Sequence, residues 1–424
     1  MTALEPLAPS GCGCDRRDTA GKLIPIDTAL SLIADRAQPV AETETLYLQD
    51  ARGRILAAPV VAQAAIPPFD SAAMDGYALA TSALSGPGPW TLPVVARGPA
   101  GQPAAALSGL QASRIFTGAP LPAGADAVIM QEEVRRHAHS IRIAQRPIPG
   151  QNIRHAASEM PRGAVMLHEG SRLGPREIAA CASAGASHLL LRRRLRVSLL
   201  VTGDELRQTG APRDAAQIWD VNTPMLRTLL AARPEVDLIA VETGLDSRDG
   251  LFLQIAELAG ASDLLITTGG ISVGEEDHVK PAILARGGRI AFSGVAIKPG
   301  KPVTYGQIGS THWLGLPGNP LSAFVTWHLF GQALLHRLTG NHSAGPARRH
   351  VVTADPVRHK PGRCEYRPAR CIGFDPQGRE VVTFAAETHS ARVGALHAAD
   401  GLMLIPADAA DLPPGALAEF LPFC

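Results

Sequence analysis

The glycine-rich segment LITTGGISVGEED, residues 265–277, has the residue types best suited to chemistry. Glycines such as Gly269 and Gly270 let backbone N–H groups approach an anion closely, and the hydroxyl of Ser272 adds a donor. A helix predicted to begin after this loop adds a dipole that favours negative charge. The acids at 275–277 would repel a phosphate unless a hard cation lay between them, and Mg²⁺ prefers oxygen ligands together with phosphate. The segment therefore predicts a phosphate site with magnesium, although the acids could instead only cap the helix.

Three further loops could serve the same ligand. TGDEL at 202–206 places two carboxylates directly after a predicted strand, and GLPGNPLSA at 315–323 places a rigid turn, an amide and a hydroxyl at the end of another. Between them, KPGKP at 298–302 carries two lysines on a proline-stiffened loop, which suits phosphate or another oxyanion. A solvated lysine pair is the alternative for that loop. Each motif alone is weak, but their placement at consecutive strand ends favours one shared site for an anionic ligand.

The elements that must position these loops follow a repeating order of strand, loop and helix from residue 195 to about 338. Short apolar runs predict strands at 196–201, 263–268 and 311–316. Helical patterns follow the strands at 222–232, 277–285 and 321–338. This order predicts a doubly wound α/β domain, in which ligands bind beyond the carboxyl ends of the parallel strands.

The rest of the chain predicts smaller units. Residues 21–61 combine a helix start with a short strand, and frequent Pro and Gly between apolar runs at 62–145 indicate a compact β-rich domain. A helix is expected at 175–186, and the basic run at 192–194 is expected to be solvated. Residues 346–424 show only short strands and turns, which fit a small β-barrel or a sandwich.

The composition limits the class of protein. Apolar residues make up 46% and charged residues 19% of 424, which predicts several folded domains. The 40 Lys and Arg balance 39 Asp and Glu, so no nucleic acid or anionic membrane is expected as a partner. Residues 1–20, expected to be a flexible terminus, have no apolar targeting core, which favours a cytoplasmic location. The six cysteines are too sparse for a disulfide framework and are expected to be reduced.

Six motifs, taken in order, resemble the molybdopterin molybdenumtransferases, the family that includes the gephyrin E-domain. They are PPFDSAAMDGYA at 67–78, IFTGAPLP at 115–122, TGDEL at 202–206, TTGGISVGEED at 267–277, KPGKP at 298–302 and GLPGNPLSA at 315–323. The resemblance runs from about Ile24 to the C-terminus, and the ordered set makes it specific. Gly294 departs from the pattern, because a basic residue is common four positions before Lys298.

The resemblance implies an α/β multidomain fold. Its parts would be a discontinuous linker domain, an inserted β-rich domain, a doubly wound molybdopterin-binding α/β domain and a C-terminal β-barrel. The corresponding limits are 21–61 with 146–190, then 62–145, 191–340 and 346–424. It also implies a head-to-tail homodimer whose active cleft lies between the α/β domain of one subunit and the inserted domain of the other.

The activity that the resemblance implies is the insertion of molybdate into adenylylated molybdopterin. In this family the phosphoanhydride is hydrolysed in a step that depends on molybdate and Mg²⁺, and AMP is released as molybdate is transferred to the dithiolene sulfurs. Paired acids that hold Mg²⁺ and cations beside the phosphates suit such a reaction. The adenylyltransferase of the same pathway and molybdoenzyme-maturation proteins are expected as partners.

The resemblance assigns roles residue by residue. The catalytic residues would be Asp75, Thr117, Glu205, Asp246 and Asp277. The metal ligands would be Asp204, Glu205 and Asp277. The substrate would be bound by Thr268, Gly269, Gly270, Ser272, Lys298, Lys301, Pro317, Gly318, Asn319, Pro320, Arg367 and Ser390.

Two other classes of function compete with this assignment. Disordered linkers and extra fused domains would favour a non-catalytic scaffold protein, but the sequence does not show them. An adenylyltransferase that makes the activated pterin could share the glycine-rich loop. That hypothesis leaves the segment at 67–78 and the last domain unexplained.

Overall fold

The computed structural model describes residues 23–103, 105–245, 248–271, 278–343, 348–385, 393–394 and 396–423. Within these ranges three six-stranded sheets lie in different parts of the chain, at 76–143, 195–316 and 297–422. Each sheet has buried apolar residues of its own. The protein is therefore a multidomain α/β protein, as predicted.

The central sheet has four parallel strands and two antiparallel ones at one edge. In sheet order the strands are Val236–Thr243, Leu195–Val201, Leu264–Thr268, Thr311–Leu316, Thr304–Ile308 and Arg289–Ser293. Every residue of Leu264–Thr268 and Thr311–Leu316 is buried, as expected for parallel strands covered on both faces. The associated helices are Asn222–Ala231, Arg248–Ala261, Val279–Ala285, Pro320–Thr326 and Gln332–Thr339.

The helix after the strand Thr311–Leu316 begins at the predicted site loop. Pro320 occupies its first turn, where a missing N–H costs nothing. A π-helical turn, Trp327–Gly331, joins it to Gln332–Thr339, and Gly340 ends the helix in the left-handed conformation at φ 66°. Trp327 and Phe330 are buried in the core beneath the sheet. This packing fixes the N-terminal end of the helix against the strand ends.

The sheet of the inserted region brings two predicted site residues together. Its strands, in sheet order, are Ala127–Met130, Gly76–Leu79, Ala112–Ile115, Trp90–Gly98, Ser140–Ile143 and Val134–His137. Gly76 pairs with Ile115 in antiparallel register. Asp75 and Thr117 therefore lie at the same end of this sheet.

Two chain segments on either side of the inserted sheet pair with each other. Strand Thr43–Tyr47 pairs with His188–Arg192, and Val60–Val61 pairs with Val165–Leu167. Strand Ser71–Ala72 pairs with Ile153–Arg154. Helix Pro175–Ser183 packs here through Cys181, whereas helix Ile26–Arg36 packs on the α/β core. The linker part is thus built from separate stretches of chain.

The basic run at 192–194 was expected to be solvated, and for two of its residues that prediction is wrong. Arg192 is partly buried and donates to the carbonyl of Val40 at 2.7 Å and to Glu169. The Arg193 guanidinium donates to both carboxylate oxygens of Asp263, at 2.6 and 3.0 Å. Both side chains therefore tie the α/β sheet to neighbouring segments.

The C-terminal region is a closed barrel rather than a sandwich. Its strands, each paired with the next, are Cys364–Phe374, Glu380–Phe384, Arg349–Thr353, Leu417–Pro422 and Gly401–Ile405, and the last pairs back to the first. Strand Ile297–Lys298 of the α/β part adds to the barrel alongside Cys364–Glu365.

The described residues also form shorter elements. Two are two-stranded pairs, Leu206–Arg207 with Ile218–Trp219 and Val357–Arg358 with Asp411–Leu412. The others are the 3₁₀ turns Leu48–Asp50, Thr81–Ala83, Gln131–Glu133 and Leu396–Ala398.

The cysteines were expected to be reduced, and for Cys364 that prediction is wrong. Cys364 is buried and disulfide-bonded, whereas Cys181 and Cys371 are free. Among the helices that the structure describes, none is long and apolar enough to cross a membrane.

Candidate functional site

A cavity of about 950 Å³ opens beyond the carboxyl ends of the parallel strands. The loops after strands Leu195–Val201, Leu264–Thr268 and Thr311–Leu316 line it, as the strand order predicts. Val393, from the C-terminal region, and Pro302, from the lysine loop, complete part of its wall. The three loops picked out by their sequence therefore share one site.

Backbone hydrogen bonds hold the three loops together. The Thr202 N–H donates to the Thr268 carbonyl at 2.9 Å, and the Gly269 N–H donates to the Leu316 carbonyl at 3.2 Å. Gly269 has φ +87°, and a Cβ there would lie 2.4 Å from the Thr202 carbonyl oxygen. Only glycine fits this position, because the next loop passes too close for a side chain. The close approach fixes the floor of the cavity.

Asn222 connects two of these loops, those after Leu264–Thr268 and Thr311–Leu316, and sequence reasoning missed its role. Its Nδ2 donates to Thr268 Oγ1 at 2.8 Å and to the Gly318 carbonyl at 2.7 Å. Thr268 Oγ1 in turn donates to the Pro317 carbonyl at 3.2 Å. Asn222 lines the cavity although only 4% of its surface is exposed. The sequence does place an asparagine at the start of a predicted helix, but a residue of this kind is normally interpreted as a helix cap.

Asp204 and Glu205 place two neighbouring carboxylates on the cavity wall. The Glu205 carboxylate lies over Gly203, where a Cβ would approach its Oε2 to 2.7 Å. Among the described residues no group of three metal-ligating side chains is close enough to hold an ion. Two carboxylates are nevertheless what Mg²⁺ commonly takes from a protein, because phosphates and water complete its coordination. The donor set present therefore fits magnesium bound together with a phosphorylated ligand.

The predicted cations Lys298 and Arg367 both contact one buried carboxylate. Glu365 has no exposed surface; its Oε2 lies 3.1 Å from Lys298 Nζ and its Oε1 accepts from Arg367 Nε at 2.8 Å. Arg367 is itself buried and also donates to the Arg358 carbonyl at 2.6 Å. Lys301 is exposed. None of these three cations is among the residues that line the cavity, although Pro302 beside Lys301 is.

Asp75 and Thr117 contact each other but do not line this cavity of their own chain. The backbone N–H and the hydroxyl of Thr117 both donate to Asp75 Oδ1, each at 2.8 Å. The backbone hydrogen bond, followed by that of the hydroxyl, lowers the pKa of Asp75 below its usual value. The carboxylate is therefore held ionised on the surface of the inserted sheet.

The structure brings together only part of the predicted set. On the cavity, or directly beneath it, lie Asp204, Glu205, Thr268, Gly269, Gly270, Pro317, Gly318, Asn319 and Pro320. The predicted residues Asp246, Ser272, Asp277 and Ser390 lie outside the described residues.

A half-exposed aromatic ring lines the cavity as well. Trp219, with 52% of its surface exposed, and Ile218 form a short strand that pairs with Leu206–Arg207. The Arg213 guanidinium lies 5.4 Å from the Trp219 ring centre. Flat aromatic faces suit planar heterocycles. Sequence reasoning missed this tryptophan because no recognised motif includes it.

Comparisons with known proteins agree with this arrangement. Residues 24–185 match the family described as the MoeA N-terminal region (domain I and II), residues 198–337 the probable molybdopterin binding domain, and residues 350–423 the MoeA C-terminal region (domain IV). A molybdopterin molybdenumtransferase of Haemophilus influenzae is 38% identical over 322 residues, which cover 75% of this chain and 78% of that one. Molybdopterin molybdenumtransferase 2 of Mycobacterium tuberculosis is 32% identical over 380 residues, covering 88% and 93%.

A solved structure supports the same assignment. The molybdopterin biosynthesis moeA protein of Pyrococcus horikoshii superposes with a TM-score of 0.81 at 26% identity, and the match covers 95% of this chain and 100% of that one. The matching regions occur in the predicted order and include the loops around the cavity. The chain belongs to the molybdopterin molybdenumtransferase family.

Proposed function

We propose that this protein inserts molybdate into adenylylated molybdopterin in a magnesium-dependent hydrolysis that releases AMP. The observation that carries the proposal is the cavity at the strand ends, where two adjacent carboxylates face loops built around Gly269 and Gly318. Its volume of about 950 Å³ is at the upper end of the range of small-ligand sites and suits a pterin joined to a nucleotide.

The reaction needs charge neutralisation and an oriented water more than a covalent nucleophile. Water adds to one phosphorus of the phosphoanhydride, and the bridging oxygen leaves with the other phosphate. The two dithiolene sulfurs bond to molybdenum as molybdate loses one oxygen, which leaves as water with the two thiol protons, so the oxidation state of molybdenum does not change. Asp204 and Glu205 would hold the cation and would accept a hydrogen bond from the attacking water, a task shared with Asp277 and Asp246. Bound Mg²⁺ supplies positive charge next to the phosphate oxygens.

Substrate binding is divided between loops and cations. Backbone N–H groups of the turns that contain Gly269, Gly270 and Gly318 receive the phosphates, other than the Gly269 N–H, which donates to Leu316, and Pro317, Asn319 and Pro320 shape the same wall. Ser272, which lies outside the described residues, is assigned to the same ligand. Lys298, Lys301, Arg367 and Ser390 serve the incoming molybdate dianion. Glu365 keeps Lys298 and Arg367 close to each other, as the contacts to its two oxygens indicate.

A homodimer would give Asp75 and Thr117 their role. Their paired side chains are exposed on the inserted sheet and do not line the cavity of their own chain. In a head-to-tail dimer they complete the cleft of the partner subunit. We assign the linker domain to 21–61 and 146–190, the inserted domain to 62–145, the α/β domain to 191–340 and the barrel to 346–424, and we propose the cytoplasm as location. The prediction for residues 1–20 falls outside the described residues.

The experiment is an AMP-release assay with purified protein, adenylylated molybdopterin and Mg²⁺, with and without molybdate. The proposal predicts AMP release only when both molybdate and Mg²⁺ are present. Consumption of ATP with molybdopterin alone would instead indicate an adenylyltransferase. Binding of the pterin nucleotide without turnover under any condition would indicate a scaffold protein.

A further inference from the structure

The side-chain amide of Asn222 has only one possible orientation. Its Nδ2 faces the Gly318 carbonyl at 2.7 Å, and a carbonyl only accepts hydrogen bonds. It also faces Thr268 Oγ1 at 2.8 Å, whose own proton is donated to the Pro317 carbonyl. Both neighbours must therefore accept, so both must face the NH₂ group. The amide oxygen Oδ1 is consequently fixed on the opposite side.

That oxygen is a buried acceptor left without a partner. Oδ1 has no hydrogen-bond partner among the residues that the structure describes, and Asn222 is 4% exposed. The residue lines the cavity. Buried polar atoms in native proteins are almost always paired, because leaving one unpaired costs about 1–3 kcal/mol. Oδ1 itself has almost no accessible surface, so a ligand that pairs with it must displace the groups that cover it as it enters.

The chemistry of the oxygen selects the kind of partner. An amide oxygen accepts only, so it pairs with an N–H or O–H group and is repelled by ionised phosphate or molybdate. We propose that Asn222 is a specificity-determining residue, whose Oδ1 accepts a hydrogen bond from an exocyclic amino group on the heterocycle of the substrate. This inference rests on the function proposed above. It assigns to Asn222 Oδ1 the recognition of the substrate's heterocycle, not of its phosphate or of molybdate.

The position of Trp219 supports a ring at this place. Trp219 ends the strand Ile218–Trp219, Asn222 begins the helix three residues later, and both line the cavity. The ring of Trp219 is half exposed and offers a flat apolar surface. A planar heterocycle can stack on such a surface while donating hydrogen bonds from its edge. An isolated oxyanion could do neither.

Two rings of the proposed substrate carry suitable donors, the pterin with its 2-amino group and the adenine with its 6-amino group. The test measures the affinities of two probe pairs, 6-hydroxymethylpterin with 6-hydroxymethyllumazine and AMP with IMP. In each pair the second compound has an oxo group in place of the amino donor. The pair in which the oxo compound binds more weakly than the amino compound identifies the ring that Asn222 contacts.

Two substitutions distinguish the role of the acceptor Oδ1 from that of the hydrogen bonds that Nδ2 donates. Asn222→Ala removes both, whereas Asn222→Asp keeps an acceptor oxygen but loses the donors to Thr268 and Gly318. The wild type should prefer the amino compound of one pair about tenfold, as expected for loss of one buried hydrogen bond. Asn222→Asp should keep that preference, and Asn222→Ala should lose it. Asn152→Ala is the matched control, because the Asn152 amide donates to Val128 in the inserted sheet.

A second measurement does not depend on how the variants fold. The chain has four asparagines, at 152, 222, 319 and 341, so ¹³Cγ-labelled protein gives four side-chain carbonyl signals. The inference predicts that the Asn222 signal shifts downfield on saturation with the preferred probe. Equal preference in the wild type and Asn222→Ala for both pairs, with an unmoved signal, overturns the inference while leaving the proposed function intact. Failure of the wild type to bind either pterin or AMP overturns both.

Discussion

A Cβ built on Gly318 would lie 3.5 Å from the Cα of Gly269, so the two glycine turns face each other at van der Waals distance. They lie 49 positions apart in the sequence and follow different strands of one parallel sheet. The hydrogen bonds of Asn222 to Thr268 and Gly318 hold them in this position. The cavity therefore exists because neighbouring strands end at the same edge.

The two glycines should respond differently to alanine. Gly269→Ala places a methyl group 2.4 Å from the Thr202 carbonyl in a backbone conformation that alanine rarely adopts, so we expect a loss of several kcal/mol of unfolding free energy, about 2–4. At Gly318 the nearest atoms are at ordinary contact distance, so Gly318→Ala should change stability by less than about 1 kcal/mol. Chemical denaturation measures both. Equal stability of the two variants would contradict the packing described here.

The paired acids should control the dependence on magnesium. Asp204→Asn and Glu205→Gln keep the shape but remove charge, so we expect kcat to fall by about 100-fold or more and the Mg²⁺ concentration for half-maximal rate to rise. Steady-state assays at varied Mg²⁺ test this. Asp214→Asn is the control, because Asp214 is an exposed acid nearby that does not line the cavity. Unchanged magnesium dependence in both cavity variants would exclude their role as ligands.

Glu365→Gln should be costly, because it leaves the buried guanidinium of Arg367 beside a neutral side chain, whereas the side chain of Lys298 is 42% exposed and loses less. Removing one partner of a buried ion pair costs roughly 3–5 kcal/mol. Glu419→Gln breaks the pair with Arg348, whose side chain is 43% exposed, and should cost only about 0–1 kcal/mol. Unfolding titrations compare the two. If Glu365→Gln folds, its KM for molybdate should rise more than that of Glu419→Gln. An unchanged KM in both variants would show that Glu365 has no role in binding the oxyanion.

Acid should destabilise the protein partly through His312. Burial lowers the pKa of His312 from 6.5 to about 4, so the folded state holds the neutral ring. Between these values the unfolded chain binds more protons, so stability is full above pH 6.5 and falls as the pH drops toward 4. One ring contributes a slope of at most about 1.4 kcal/mol per pH unit. His312→Gln should flatten the plot of unfolding free energy against pH in this window, and an unchanged slope would refute the assignment.

Two inactive variants should complement each other if the cleft is shared. Asp75→Asn damages the contribution of the inserted domain, and Glu205→Gln that of the α/β domain. In a mixed dimer one cleft has both defects and the other has neither. Random co-expression should therefore restore about a quarter of the wild-type activity. Each variant expressed alone is the control, and an inactive mixture that contains verified mixed dimers would place Asp75 outside the partner's cleft.

Much of the α/β part was predictable because two of its central strands are fully buried and its loops carry motifs. The strand Thr311–Leu316 was predicted residue for residue, and Asn222–Ala231 to within one residue. The strand Val236–Thr243 and the helix Arg248–Ala261 were missed, because half-buried alternation and a helix apolar on all sides give no clear period. A strand or helix can therefore be recognised in the sequence only where its apolar residues recur with a clear period.

The contacts between distant residues could not be predicted. Nothing in the sequence indicates that Glu365 lies between Lys298 and Arg367, since that depends on the strand Ile297–Lys298 adding to the barrel. The solvated interpretation of Arg193 failed for the same reason, because its partner Asp263 lies 70 positions later, just before the strand Leu264–Thr268. Charge in a sequence shows which groups need partners but not which partners they find.

The most direct test of the central claim is a crystal of this protein soaked with AMP, Mg²⁺ and molybdate. The account predicts the AMP phosphate on the cavity side of the adjoining turns at Gly269 and Gly318, with a cation held by Asp204 or Glu205 on the adjacent wall. It also predicts the molybdate beside the phosphate. AMP and molybdate bound at separate places away from this cavity, or a phosphate site without either acid, would contradict it.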